Sequence, residues 1–234
     1  GAQMLTKIEG GMGLLMGGPA GVQAAHVVIL GAGTVGLSAA KVAMGMGARV
    51  TILDSNLFRL RQIDDLFGGR IQTLASNAFN IAAATKDADL LVGSVLIPGA
   101  LTPKLVTEAM VKTMKPGSAI VDVAIDQGGC IEPTAKHGAT YHDKPTFKYP
   151  VNGGEVVCYS VGNMPGAVAR TSTFTLTNAT MPYMVDLANK GWKKACQDDK
   201  ALARGINTYD GKVYFKGVSD ALGYELHCTC DILK

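Results

Sequence analysis

The sequence predicts an α/β fold: a doubly wound parallel sheet with helices on both faces. Three observations support it. Across residues 26–54 an apolar run, a glycine pattern, a small-residue helical stretch and a second apolar run ending in an acid follow one another. Strand-like apolar runs then alternate with helical patterns as far as residue 161. The composition, 47% hydrophobic and 18% charged with 29 glycines in 234 residues, suits a buried parallel sheet and excludes a disordered chain.

Gly1 to Thr6 reads as the tail of a helix begun earlier, so the expectation is a piece lacking a segment before Gly1. Gly10 to Pro19 reads as a flexible, glycine-rich connector. His26-Val27-Val28-Ile29-Leu30 is a buried strand that leads directly into Gly31-Ala32-Gly33-Thr34-Val35-Gly36, and Leu37 to Gly47 continues as a helix. Arg49 to Asp54 is the second strand, its acid roughly 20 residues past the glycines. Strand, turn, helix, strand and acid in this order form the Rossmann fingerprint of a dinucleotide site. Gly31 permits the tight turn, Gly33 lets the backbone approach a pyrophosphate, and Gly36 lets the helix pack closely. The helix beginning near Thr34 points unpaired N–H groups at the phosphates. Asp54 would accept from the ribose hydroxyls and repel a 2′-phosphate, which favours NAD over NADP. Arg59 and Arg61 are the counterweight, because a basic residue past the acid sometimes holds a phosphate.

Next come a helix over Leu57 to Phe67, a strand over Arg70 to Leu74 and a helix capped by Asn77 that runs through Thr85. Asp89 to Val95 is a strand entering the loop Ile97-Pro98-Gly99-Ala100, and Pro103 to Met114 a helix capped by Thr102. Ser118 to Ala124 is a fifth strand and Val156 to Val161 a sixth, after a loop rich in Gly, Pro and His. Residues 1–164 thus form the dinucleotide-binding domain. Residues 165–234 are expected to be the C-terminal part of an incomplete second, catalytic domain. Gly166 to Asn178 and Pro182 to Gln197 read as separate helices, with Thr180 the second one's N-cap. Asp210-Gly211 then turns into the strand Lys212 to Phe215, before a helical piece over Val218 to Leu222. Seventy residues of this kind make no convincing core alone.

The net charge of +3 and scattered lysines imply neither nucleic acid nor membrane as partner. No apolar stretch reaches bilayer length and no secretory signal is visible, so a cytoplasmic protein is expected. Cys130, Cys158 and Cys196 read as reduced core thiols rather than a disulfide framework. His227-Cys228-Thr229-Cys230 lacks a second pair of ligands at any standard spacing, so no metal site is expected.

In a doubly wound sheet, ligands lie across the carboxyl ends of the strands. Three loops reach that edge: Ser94 to Ala100, Val123 to Gly129, and Val161 to Ala167. Their small residues suit a flat ring close to the backbone. Asp126 supplies a carboxylate there; the alternative reading is a loop aspartate capping neighbouring N–H groups.

Five motifs carry a resemblance: GAGTVG at 31–36, VLIPGA at 95–100, IVDVAIDQGG at 120–129, VGNMPGAVARTS at 161–172 and LTNATMPY at 176–183. Together they resemble the alanine dehydrogenase/pyridine nucleotide transhydrogenase family, and within it the alanine dehydrogenase branch. The resemblance implies NAD-dependent, reversible oxidation of L-alanine to pyruvate and ammonium by a homo-oligomer, generally a hexamer. It places Thr34 and Val35 at the pyrophosphate, Asp54 at the ribose, and Arg59 and Ser76 on the adenosine side. Val95, Leu96, Val123, Ala124, Ile125, Asp126, Val161, Gly162, Asn163 and Met164 would line the nicotinamide half, and Asp126 matches the family's catalytic aspartate. The substrate-binding arginine and lysine and the catalytic histidine of the family belong to an N-terminal region that this sequence does not contain. Ala169 replaces a common proline, and the 137–155 loop is longer than the family's usual one. Two alternatives stand beside this reading. One is the NAD-binding component of a proton-translocating transhydrogenase, whose motif differs at Asp126. The other is a non-catalytic NAD-binding remnant.

Overall fold

The computed structural model describes residues 1–95 and 102–234. They divide into two compact units, residues 1–95 with 102–164, and residues 165–234. The first opens with a 3-10 turn, Gln3–Leu5, and continues through β1 (His26–Leu30), α1 (Thr34–Gly45), β2 (Arg49–Asp54), α2 (Leu57–Phe67), β3 (Gln72–Ala75), α3 (Ala78–Asp87) and β4 (Leu90–Gly93). Beyond residue 101 come α4 (Glu108–Val111), β5 (Ala119–Asp122), a 3-10 segment Val123–Gln127, α5 (Glu132–His137), β6 (Thr146–Val151) and β7 (Gly154–Tyr159).

The seven strands lie in the order β3-β2-β1-β4-β5-β7-β6. All neighbouring pairs are parallel except β6 with β7. Side chains alternate between the two faces, as a pleated strand requires. Val27 and Ile29 of β1, with Val50 and Ile52 of β2, pack under Ala40, Ala43, Leu60, Ile63 and Phe67 of α1 and α2. Val28, Leu30 and Leu53 face the other way, toward Ile81, Ala84 and Val111 of α3 and α4. Burial on both faces explains why the strands read as continuous apolar runs. The doubly wound α/β class is the observed fold.

Four expectations are corrected. The N-terminal stretch is not a loose connector: Met4, Leu5 and Met16 join the core, and the Met12 amide donates to the Gly117 carbonyl at 2.9 Å. The helix expected over Pro103 to Met114 shrinks to α4, capped by Thr107 rather than Thr102. Its first part is drawn into extended pairing, the Leu105 amide donating to the Cys130 carbonyl at 2.9 Å and Val106 bridging Ile131. Tertiary pairing overrides helix propensity there. The supposed loop before the last strand holds β6, an antiparallel edge strand joined to β7 by Asn152-Gly153, with Gly153 at φ 86°. An Asn-Gly pair between two runs is a strong hairpin signal.

The fourth correction lies in the second unit, where α6 (Ala169–Asp198) is continuous across the expected break at 178–182. Pro182 sits inside it, and the Thr180 hydroxyl donates back to the Leu176 carbonyl at 2.9 Å instead of capping a new helix. The helical path is interrupted at Gly191, φ 74°. Then follow α7 (Lys200–Ala203), the hairpin β8 (Thr208–Tyr209) with β9 (Lys212–Val213), and α8 (Lys216–Leu222). Cys130, Cys158 and Cys196 are free and buried, while Cys228 and Cys230 are joined in a disulfide. No helix among the described residues is long and apolar enough to cross a membrane.

At the amino-terminal edge of the sheet the buried His26 ring lies between Asp87, 2.8 Å from Nδ1, and Thr51, 2.8 Å from Nε2. Arg49 and Lys115 also reach Asp87, and Lys115 bonds Asp89 at 2.9 Å. Burial, followed by Arg49, holds the His26 pKa below its ordinary 6.5 despite Asp87. The unfolded chain therefore binds a proton at this histidine before the folded one does. Stability is full above pH 6.5 and falls as the pH drops below it, by up to about 1.4 kcal/mol per pH unit. Urea denaturation at pH 7.5 and 5.5 should show this loss, and His26→Asn should shrink it; equal losses in both proteins would contradict the assignment.

Candidate functional site

The carboxyl ends of β1, β2 and β4 open onto a cleft of about 640 Å³ lined by Gly31, Gly33, Thr34, Val35, Leu53, Asp54, Ser55, Ser76, Ser94, Val95, Pro103 and Leu105. Each glycine has a geometric reason. Gly31 adopts φ 95°, where other residues are strained, and a Cβ on it would lie 2.9 Å from the Ser94 carbonyl oxygen. A Cβ on Gly36 would fall 1.9 Å from the Gly31 oxygen, so the first turn of α1 closes directly on the glycine loop. Gly33 is different: among the described residues, nothing lies within 4 Å of where its Cβ would stand. It caps α1 without a side-chain hydrogen bond, and its Cβ position opens onto the cleft. The first N–H groups of a helix have no partner within it, and its dipole favours an anion at that end.

Asp54 and Arg59 fix this loop from opposite sides of one residue. The Ala32 amide donates to Asp54 Oδ2 at 2.7 Å, and Arg59 Nε donates to the Ala32 carbonyl at 2.8 Å. Across a trans peptide the carbonyl and the following N–H point in opposite directions. Holding the Ala32 carbonyl on Arg59 therefore turns the Gly33 N–H away from the guanidinium. The other oxygen of Asp54 accepts the Asn56 amide at 2.8 Å. Arg59 thus spends its Nε on the loop, and it is not among the cleft-lining residues. Ser94 was not singled out from the sequence, yet its hydroxyl donates to the Leu30 carbonyl at 2.8 Å and lies 3.1 Å from that of Gly31, tying β4 to the turn. A polar residue ending an apolar strand beside a glycine turn was the available signal.

A second cluster forms where the loops after β5 and β7 meet. The Asn163 amide lies 3.3 Å from both carboxylate oxygens of Asp126. Asn163 adopts φ 55°, one of two non-glycine residues with positive φ among those described, and a Cβ on Gly162 would come within 3.2 Å of Asp126 Oδ1. Asp126 is exposed and caps an N–H of a different loop, not of its own. Ala124 and Ile125 are buried beneath it, Val123 is partly buried against the sheet, and Val161 is buried at the neighbouring strand end. Met164 opens the 3-10 segment Met164–Val168. Leu96 and the Ile97-Pro98-Gly99-Ala100 loop lie outside the described residues.

Fold and cleft define a doubly wound domain of the dinucleotide-binding class. The family model for the C-terminal domain of alanine dehydrogenase/PNT matches residues 1–216, and the chain belongs to that family. It is 58% identical over 221 residues to an alanine dehydrogenase of Methanococcus maripaludis, covering 94% of this chain and 58% of that one. It is 54% identical to one from Staphylococcus haemolyticus over all of this chain and 61% of the relative. A solved L-alanine dehydrogenase shares 48% identity with a TM-score of 0.85, over 95% of this chain and 60% of that one. A transhydrogenase from Sinorhizobium meliloti shares 25% with a TM-score of 0.65, over 92% and 58%. The chain thus spans about three fifths of the length of these relatives.

The glycine geometry separates folding from binding. Gly36→Ala must push the loop apart and should cost about 1–3 kcal/mol of stability. Gly33→Ala, at φ −71°, should change stability by less than about 1 kcal/mol while filling the cleft and weakening dinucleotide binding. Urea denaturation of both variants, and their calorimetric titration with a nicotinamide dinucleotide, check this; a Gly33→Ala protein whose affinity equals the parent's would remove the loop from the candidate site.

Proposed function

We propose that this chain supplies the NAD-binding part of an enzyme that reversibly converts L-alanine to pyruvate and ammonium. The observation that carries the reading is the cleft at the start of α1, where a Cβ-free Gly33, helix N–H groups with no partner inside α1 and the Asp54 carboxylate line one space. This donor set suits a pyrophosphate beside a ribose, and family membership supports a nicotinamide coenzyme.

Thr34 and Val35 present backbone N–H groups to the phosphates. Asp54 accepts from the ribose hydroxyls while its remaining lone pairs keep the loop in place, and its charge disfavours a 2′-phosphate. Ser76 lines the adenosine side of the cleft, and Val95, with Leu96 by the family resemblance alone, is proposed for the nicotinamide half. Val123, Ala124, Ile125, Val161, Gly162, Asn163 and Met164 shape the nicotinamide side. The nicotinamide, when bound, supplies the hydride acceptor. Asp126 is the proposed catalytic carboxylate of this chain: the Asn163 N–H orients it, ready to hold the substrate ammonium or a protonated base. The cysteines take no such part. Burial and then the charge of Asp122 push the Cys158 thiol up to about 12, and the same two causes raise Cys130. The groups that grip the substrate carboxylate are assigned to the part of the relatives that the match leaves out. The same reading makes the protein a cytoplasmic homo-oligomer acting on small molecules. Greater identity to the alanine dehydrogenases than to the transhydrogenase supports it over the alternative.

Calorimetric titration with NAD and NADP tests the proposal. The chain should bind NAD more tightly than NADP. Asp54→Ala should weaken NAD by about 10- to 100-fold, because a charge-assisted acceptor is lost, and should narrow the preference. An unchanged dissociation constant for NAD would take Asp54 out of the site.

A further inference from the structure

Asp122, the last residue of β5, is fully buried, and its carboxylate is enclosed rather than open to a ligand. It accepts from the Cys130 amide at 3.1 Å and the Ile131 amide at 3.3 Å, and the Thr134 hydroxyl lies 2.5 Å from the same oxygen. The Cys130 thiol approaches its other oxygen at 3.6 Å. Among the described residues, the donors that reach it are all uncharged, and all follow Asp126 in the chain. Two glycines make room for it. A Cβ on Gly93, its register partner on β4, would lie 3.0 Å from Oδ1 and 2.5 Å from the Cys130 sulfur. A Cβ on Gly129 would lie 2.8 Å from Oδ2.

The backbone between Asp122 and Cys130 therefore leaves the sheet, passes through the 3-10 segment bearing Asp126, and is brought back onto the carboxylate from which it departed. Gly128 and Gly129, at φ 87° and 73°, make the return. From outside, the Lys104 ammonium donates to the carbonyls of Gly128 and Gly129, and the Thr102 amide donates to the Gln127 carbonyl at 3.0 Å. The same 102–105 segment contributes Pro103 and Leu105 to the wall of the cleft.

We infer that Asp122 is a positioning residue for Asp126: its buried carboxylate clasps the far end of the 123–131 loop and so sets where the Asp126 carboxylate stands. The inference rests on the proposed placement of that loop at the nicotinamide side. Asp122 touches no ligand itself. Losing the clasp should leave the Gly31–Gly36 seat intact and disturb the nicotinamide side alone.

The test compares NAD with ADP-ribose, which keeps the adenosine diphosphate but lacks the nicotinamide. Both are titrated against the parent chain, Asp122→Asn and Thr134→Val. Hydrogen exchange is followed in residues 123–131 and in β1. Asp122→Asn should weaken NAD about tenfold, leave ADP-ribose within about twofold, and speed exchange in 123–131 without changing β1. Equal effects on the two ligands, or none, with unaltered exchange, would overturn the inference. Should Asp122→Asn fail to fold, Thr134→Val removes one donor and must show the same selectivity, smaller in size; its absence would count equally against the clasp. A parent chain that binds neither ligand would refute the dinucleotide reading instead, and faster exchange confined to 123–131 would then decide the clasp by itself.

Discussion

The amide and the carbonyl of one residue, Ala32, are held from two sides, by Asp54 at 2.7 Å and by Arg59 at 2.8 Å. Most of the cleft's shape follows from that pair of bonds. They fix the peptide plane entering Gly33, and with it the direction of the first donor of α1. Gly36 then seats the helix against Gly31 with no room for a methyl group, and Ser94 ties the neighbouring strand to the same turn. An anion seat made of backbone N–H groups works only if those groups are already aimed, because aiming them on binding would cost conformational entropy. The acid at the end of β2 thus has a second task besides its proposed contact with a ribose.

A similar economy governs the other loops. β5 ends in a buried carboxylate whose donors come from the far side of the Asp126 turn. β7 ends near a residue in a left-handed conformation whose amide faces Asp126. Strained or buried polar features of this sort persist where the surrounding structure over-determines them. Here they collect on the carboxyl edge of the sheet, while the opposite edge carries the His26–Asp87–Lys115 network, away from any cleft lining. One edge bears on stability and its pH dependence; the other carries the proposed dinucleotide site.

Much of the first unit was legible in the sequence because buried parallel strands write themselves as unbroken apolar runs, and because the glycine spacing reports backbone geometry directly. Asp54, Gly31, Gly33, Thr34, Val35, Ser76 and Val95 meet in one cleft for that reason. The segment at Pro103 is extended rather than helical because its fate depends on pairing with Cys130 and Ile131, residues distant in sequence. The edge strand β6 is masked in the sequence by its Gly, Pro and His neighbours, and Asn152-Gly153 at its turn is its one clear signal. Pro182 suggested a helix start, yet the interruption fell at Gly191, where a positive φ is cheapest. The roles of Arg59 and Asp122 turn on hydrogen bonds to backbone groups, which residue spacing does not encode.

The central claim is that a dinucleotide's phosphates meet the N–H groups at the start of α1. Amide-resolved NMR of the labelled chain during titration with NAD tests it most directly. The account predicts saturable shifts of Gly33, Thr34 and Val35, with the His26 edge of the sheet unmoved. Saturation that leaves those three amides in place while others shift would contradict it.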